Sequence, residues 1–387
     1  MSNVLNSRYL KGDRPMWVIL LFLSIISVLA VSSASSSIAF RQNSSVGFYI
    51  LKHLSFLLGS LALILIQLKY ISIDTYKRFS LPLLVISVLL LVLNYVVSDN
   101  RSLSLFGGFS FQPQEFAKIS LVLFSSSLFA DCKYDLYEVD RTFWKVLAIT
   151  AVVCGLIALR DISTAALLFM TILGLMLAVG VRIIRIAGIV GSILLLVVLA
   201  YLVADYVPKE SSFRVHTLKS RIDNFISGEE QVGNNSLDQE DYFKYSIFRG
   251  GYGAAGPGRS KMRVYPAAYN DFIYSVIVEE YSLVLGIIII FLYVWVLYRG
   301  AKAGDGATDP FSKFVSLGLA MLITFQAFMH IGVNVGLFPV TGQPLPWISM
   351  GGTSMLFTAV SFGIILSISC KNEDEKEERK RKKKAGV

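Results

Sequence analysis

Ten apolar runs, each long enough to cross a bilayer, constrain this chain more than anything else in it. Their cores fall at 16–35, 49–68, 80–97, 114–130, 143–159, 163–180, 183–205, 272–298, 314–338 and 352–370. The hydrocarbon core of a membrane is about 30 Å thick, and an α-helix crosses it in about 20 residues. The runs therefore predict an all-α, polytopic membrane protein with about ten transmembrane helices. Charged residues are only 16% of the 387 and hydrophobic ones are 54%, which leaves too few charges to cover a soluble globule of this size. The first run follows Lys11 and Arg14 and ends in small residues, as a signal peptide does. With nine further runs behind it, an uncleaved anchor is the expectation.

Basic residues orient the bundle. With the N-terminus inside, the inner segments carry 22 Lys and Arg, and the short outer loops carry 4. Cytoplasmic segments attract such an excess, so residues 1–15 and the basic tail 371–387 are expected in the cytoplasm. Residues 206–270, between helices seven and eight, then form one large extracytoplasmic loop. The net charge of +9 follows from this asymmetry and gives no reason to expect nucleic acid. Cys132, Cys154 and Cys370 have no metal-ligand spacing, and His53, His216 and His330 are scattered. Neither a disulfide framework nor a zinc site is expected.

The large loop holds an amphipathic stretch (Phe213, Val215, Leu218, Ile222, Phe225), fit to lie on a membrane surface. A polar run over 228–241 reads as mobile. The segment from Arg249 to Arg263 is glycine-rich and basic, and its Gly251, Gly253 and Gly256 spell G-x-G-x-x-G. Without a βαβ unit around it, and with Pro257 next, a dinucleotide fingerprint is excluded. What is left is a loop whose glycines allow close approach to a phosphate, with Arg259, Lys261 and Arg263 to neutralise it. It reads equally as a solvated loop near headgroups.

Asp271 is the last polar residue before run eight and, taken alone, reads as a helix N-cap. Glu279 and Glu280 lie further into that run, where a carboxylate is costly unless paired or facing a cavity. Glu115 and Lys118 are three apart and can meet on one helical face. Arg160 and Asp161 sit at a tight turn. A charge-paired structural network would account for all of these. Between runs nine and ten, residues 334–355 hold Pro339, Pro344 and Pro346 with Gly336, Gly342, Gly351 and Gly352. Broken helix at membrane depth survives only against protein or a wet cavity. The segment is expected to re-enter the bundle, either to line a polar site or as a rigid packing turn.

Taken together, several motifs resemble the SEDS family (shape, elongation, division and sporulation), to which FtsW, RodA and SpoVE belong. They are FQPQEFAK at 111–118, DISTA at 161–165, RIDNF at 221–225, GGYGAAGPGRS at 250–260, NDFIYSVIVEE at 270–280 and PVTGQPLPWISMGGTS at 339–354. Arg160 stands where the family usually has proline, and Ser163 and Ser282 where it usually has glycine. Gln343 and Met350 alter the proline-rich motif. The resemblance implies a peptidoglycan glycosyltransferase that polymerises lipid II at the outer face of the cytoplasmic membrane and releases undecaprenyl pyrophosphate. It leans to the division-type branch and septal wall synthesis. It also implies a class B penicillin-binding protein and other divisome membrane proteins as partners.

By that resemblance Asp271 is the catalytic residue. Arg221, Arg259, Lys261 and Arg263 are candidate pyrophosphate or sugar contacts. Lys118 is a candidate to hold Asp271 or the pyrophosphate, Glu115 and Glu280 would shape the cavity, and Asp161 is a further candidate substrate contact. Gly250, Gly251, Gly253, Pro339, Gly342, Pro344, Pro346, Ser349, Gly351 and Gly352 belong to the structural motifs. No cofactor is implied with certainty, and a divalent cation stays open. A lipid II flippase, an elongation-type polymerase and a non-catalytic scaffold for a partner synthase are the rival readings.

Overall fold

The computed structural model describes residues 12–35, 45–98, 102–105, 109–132, 136–204, 219, 223, 239–261 and 270–384. The helices are α1 (Arg14–Ala34), α2 (Val46–Tyr70), α3 (Ile73–Val97), α4 (Pro113–Ala130), α5 (Leu136–Ala158), α6 (Ile162–Val179) and α7 (Ile183–Val203). After these come α8 (Gln239–Tyr252), α9 (Ile273–Tyr281), α10 (Leu283–Asp305), α11 (Pro310–Asn334) and α12 (Thr353–Lys384). A two-stranded antiparallel ribbon, β1 (Leu103–Leu105) and β2 (Phe109–Phe111), joins α3 to α4 and pairs Leu103 with Phe111.

Among the described residues nine helices are long and apolar enough to cross a membrane. The tenth expected span, α4, has 18 residues and carries Glu115, Lys118 and four serines. It is buried nearly all round, against α3, α5, α6, α11 and α12. Its neighbours, not lipid, surround its polar groups, so it tolerates a composition that a lipid-facing helix could not. The outer helices show the converse. Leu194, Leu195 and Leu196 of α7, Leu89 and Val96 of α3, and Val284 and Phe291 of α10 are exposed, as lipid-facing side chains must be. The core sits around α4, α11 and α12.

The largest departure from the expected layout is at run eight, which is not one helix. Ser282 adopts φ 88° and ψ 160°, a region that glycine enters freely and other residues only under strain. The chain bends sharply there. A Cβ built on Gly286 of α10 would lie 2.7 Å from Val278 Cγ2 and 2.9 Å from Tyr274 Oη of α9. In an unbroken helix residues 278 and 286 would be about 12 Å apart along the axis. The spanning segment is α10 alone, and α9 is a separate half-helix folded against it. From Ile273 to Glu280 every residue of α9 is at least 98% buried.

One more expectation changes: Gly250 and Gly251 lie inside α8, so the loop proper begins at Gly253. The polar run 228–241 lies outside the described residues up to 238, and its last three residues open α8. The amphipathic stretch 213–225 lies outside the described residues, apart from Lys219 and Asp223. At the other end of the bundle the residues just before α1 meet α10 and α12. Arg299 of α10 forms a bidentate ion pair with Asp13, and the Gly12 amide donates to Glu373 of α12. The end away from these contacts is called distal below.

Candidate active site

The segment between α11 and α12 turns back into the bundle at the distal end. Residues 335–352 are non-helical, and Thr341, Gln343 and Leu345–Ser349 are buried. Gly336, Gly342 and Gly352 take φ of 77°, 68° and 50°. A Cβ on Gly351 would meet Ser354 Cβ at 3.2 Å. Buried backbone needs partners, and side chains from three helices supply them. Ser27 of α1 donates to Ile348 O at 2.8 Å, and Gln326 of α11 to Pro344 O at 3.1 Å. His330 Nδ1 donates to Gln343 O at 2.7 Å, and Tyr293 of α10 donates to Pro346 O. Gln343 Nε2 reaches Asp161 Oδ2 at 3.3 Å, and Asp161 in turn caps α6 by accepting from Thr164 N at 3.1 Å. Trp347, 1% exposed, donates from its indole to Ser24 Oγ at 2.9 Å. The proline-rich break is thus a rigid plug, held by hydrogen bonds from the surrounding bundle and by its own internal ones, such as Leu345 N to Ser349 Oγ at 2.8 Å.

Asp271 sits against this plug. It is half-buried, two residues before α9, and Phe272 rather than Asp271 occupies the cap position of that helix. Ser349 Oγ donates to the neighbouring Asn270 O at 2.9 Å. Asn334, the last residue of α11, donates to Asp271 O at 3.1 Å. The carboxylate is thereby carried on a short segment held on both sides at the distal end of the bundle.

Glu115 and Lys118 do pair, at 2.8 Å, with side chains 5% and 2% exposed. Lys118 also donates to Gln326 Oε1 at 2.8 Å. Both charges are satisfied, and they line a crevice with Ile119, Leu322, Pro346 and Phe357. Breaking such a buried pair by removing one partner costs roughly 3–5 kcal/mol. Lys118 is therefore tied to the plug through Gln326, which links it indirectly to the Asp271 segment.

The glycine loop lies elsewhere than beside Asp271. It packs on the opposite end of α9. Glu279 accepts from Arg249 at 3.1 Å, from Ser260 Oγ at 2.6 Å and from Lys261 N at 3.1 Å. Glu280 accepts from Ser260 N at 3.1 Å and from Ser33 of α1. Ala255 N and Gly256 N add bonds to the carbonyls of Glu279 and Glu280. These two carboxylates are loop holders. Two helical turns, about 12 Å, separate Asp271 from Glu279. Arg259 and Lys261 are exposed on the loop, and Arg221 and Arg263 lie outside the described residues. Gly250 is packed hard against α9, for a Cβ there would fall 2.2 Å from Val278 O.

What the sequence reading missed is a polar ladder on α11. Gln326, His330 and Asn334 recur every four residues and so share one face. Each binds a different part of the site: Lys118 and Pro344, Gln343, and the Asp271 segment. Their spacing in an otherwise apolar run was the available signal. Among the described residues no group of three or more His, Cys, Asp or Glu could hold a metal ion.

Comparisons with known proteins agree with this architecture. The chain is 29% identical over 377 residues to the probable peptidoglycan glycosyltransferase FtsW of Trichlorobacter lovleyi, covering 94% of each. It is 27% identical to the stage V sporulation protein E of Bacillus subtilis, covering 91% of this chain and 95% of that one. Its fold matches a chain from a structure on the coordination of polymerization and crosslinking by a peptidoglycan synthase complex, with TM-score 0.74 and 20% identity over 94% of this chain and 99% of that one. It also matches the Thermus thermophilus rod shape determining protein RodA, with TM-score 0.65 and 20% identity over 94% and 98%. The family of cell cycle proteins comprising FtsW, RodA and SpoVE matches residues 13–374, nearly the whole chain, and this polytopic membrane protein belongs to it.

Proposed function

We propose that the protein is a peptidoglycan glycosyltransferase that polymerises lipid II at the outer face of the cytoplasmic membrane. Its place is in septal wall synthesis, beside a class B penicillin-binding protein that crosslinks the product. Relatives named as probable peptidoglycan glycosyltransferase FtsW, 27–29% identical over most of this chain, support the reading. The observation that carries the reading is the setting of Asp271: a half-buried carboxylate on a clamped segment, at the distal end, next to a rigid plug.

The chemistry needs a base for a sugar hydroxyl, which is a poor nucleophile. Asp271 takes the proton of the acceptor hydroxyl as its oxygen attacks the anomeric carbon of the donor. The bond from that carbon to the pyrophosphate breaks, and undecaprenyl pyrophosphate leaves with the electron pair. Charge grows on the leaving oxygens and calls for cations. Arg259 and Lys261 are exposed on the loop at the other end of α9, about 12 Å from Asp271 along the helix, and would meet the pyrophosphate across that span, whereas Lys118 is already paired. The apolar outer faces of the bundle let the lipid tails stay in the bilayer while the sugars meet the distal end.

The test is Asp271→Asn beside Asp271→Ala, with glycan product and thermal stability measured on the same preparations. Both variants are expected to be folded and at least about 100-fold slower. An Asn variant that polymerises at near the wild-type rate would remove Asp271 as base and shift the weight to a flippase or scaffold.

A further inference from the structure

We infer that Asn334 is the positioning residue for Asp271, acting from a different helix by capping α9 in trans. The inference rests on the proposed role of Asp271. The first N–H groups of any helix lack intrahelical partners, and a side chain at the cap position normally serves them. Phe272 stands at that position in α9 and offers no hydrogen-bonding side chain. The missing oxygen comes from Asn334. Its Oδ1 accepts from Ser275 N at 3.1 Å and from Ser275 Oγ at 2.8 Å. Ser275 is the third residue of α9, the position a cap serves.

The other half of the same amide grips the residue that precedes the helix. Nδ2 donates to Asp271 O at 3.1 Å and to His330 O at 2.8 Å. A carboxamide has two donors and one oxygen with two lone pairs. All four are used, in a side chain with no exposed surface. The amide can face only one way, because its oxygen meets two donors and its nitrogen meets two carbonyls. One buried group therefore sets both where α9 begins and where the backbone of Asp271 lies. Asn334 ends α11, the helix whose ladder also holds Lys118 and the plug, so the position of Asp271 is referred to the most buried part of the bundle.

The experiment uses the full chain in detergent with three variants. Asn334→Ala removes both functions. Asn334→Asp keeps the capping oxygen and loses the two donors, with its charge placed at a helix N-terminus, where it is favoured. Ser316→Ala is the control: it deletes a buried hydrogen bond of the same helix, to Gly300 O at 2.7 Å, far from the site. Lipid II polymerisation gives kcat and KM, and hydrogen–deuterium exchange reports on residues 270–281.

Misplacing a reacting group by about 1 Å can cost up to about 100-fold in rate, so kcat should fall about 10- to 100-fold in both Asn334 variants while KM changes little. Exchange over 273–278 should quicken in Asn334→Ala and stay near wild type in Asn334→Asp. Ser316→Ala should change neither kcat nor exchange over 270–281, whatever it does to the melting temperature. Wild-type kcat in Asn334→Ala and Asn334→Asp, or a kcat loss no larger than that of Ser316→Ala at matched melting temperature, overturns the inference. If the wild-type chain itself makes no glycan, the functional reading fails instead. Exchange in Asn334→Ala then still decides whether Asn334 holds the segment, and unchanged exchange refutes it.

Discussion

At the scale of single residues, the bend at Ser282 is where this chain departs most from what its backbone asks of it. A φ of 88° with ψ of 160° is glycine territory, and a non-glycine residue there carries strain of order 1–3 kcal/mol. Among family motifs this is also one of two places, with Ser163, where serine stands in for the usual glycine. Ser282→Gly should relieve part of that strain while giving up some entropy in the unfolded chain. A rise of a degree or more in melting temperature is expected, and Ser282→Val should lower it. A lower melting temperature for the glycine variant would show that the bend is not strained. The contrast with Gly250 is useful. There the φ is unremarkable, and glycine is required because Val278 O leaves no room for a Cβ.

At the scale of elements, α9 is a half-helix held at both ends, by Asn334 and Ser349 at its start and by the glycine loop at its finish. Glu279 binds the loop through one hydroxyl and one backbone amide, and α8 through the Arg249 guanidinium. Hydrogen bonds to a charged group are worth roughly 1.5–3 kcal/mol each. Glu279→Gln keeps the shape and removes the charge, so the loop should open more often. Arg259 and Lys261 are exposed trypsin sites on it, and limited trypsin digestion should cut there several-fold faster in the variant. An unchanged cutting rate would mean that packing of Gly250 against α9, and not the carboxylate, holds the loop. Much of this was legible in the sequence and some was not. Glu279 and Glu280 announce themselves as carboxylates needing partners, and the spacing of Glu115 and Lys118 foretells their ion pair. The partners of Glu279 are less readable, since two of them are a backbone amide and a serine hydroxyl 18 and 19 residues upstream. Run eight reads as one span because residues on both sides of Ser282 are apolar, and hydropathy carries no information about φ. The plug is readable as a break, from its prolines and glycines. Which side chains satisfy its carbonyls depends on helix packing that no single run encodes.

At the scale of the whole molecule, ten crossings, counting α4 and taking α10 alone for run eight, bring the start of α1 and the end of α12 to one face. The contacts of Asp13 with Arg299, of Gly12 with Glu373, and of Lys371 with Asp309 at 2.9 Å lock that face together. The inner segments of the basic-residue count adjoin this face, with Arg14, Lys69, Lys77, Lys302 and Lys313 among the described residues. Lys and Arg are retained on the cytoplasmic side of short loops, so this end should be cytoplasmic and the end holding Asp271 should face out. The sidedness matters to function, because a base at the distal end can meet a lipid-linked sugar outside the cell only in that orientation. The orientation can be checked without activity. In a background with Cys132, Cys154 and Cys370 changed to alanine, single cysteines at Ala254 and Lys380 occupy exposed positions on the glycine loop and on α12. In intact spheroplasts an impermeant maleimide should label Ala254→Cys, and it should label Lys380→Cys only after the membrane is opened. Labelling of Lys380→Cys alone before opening would invert the bundle, put Asp271 in the cytoplasm, and leave extracytoplasmic polymerisation without a base.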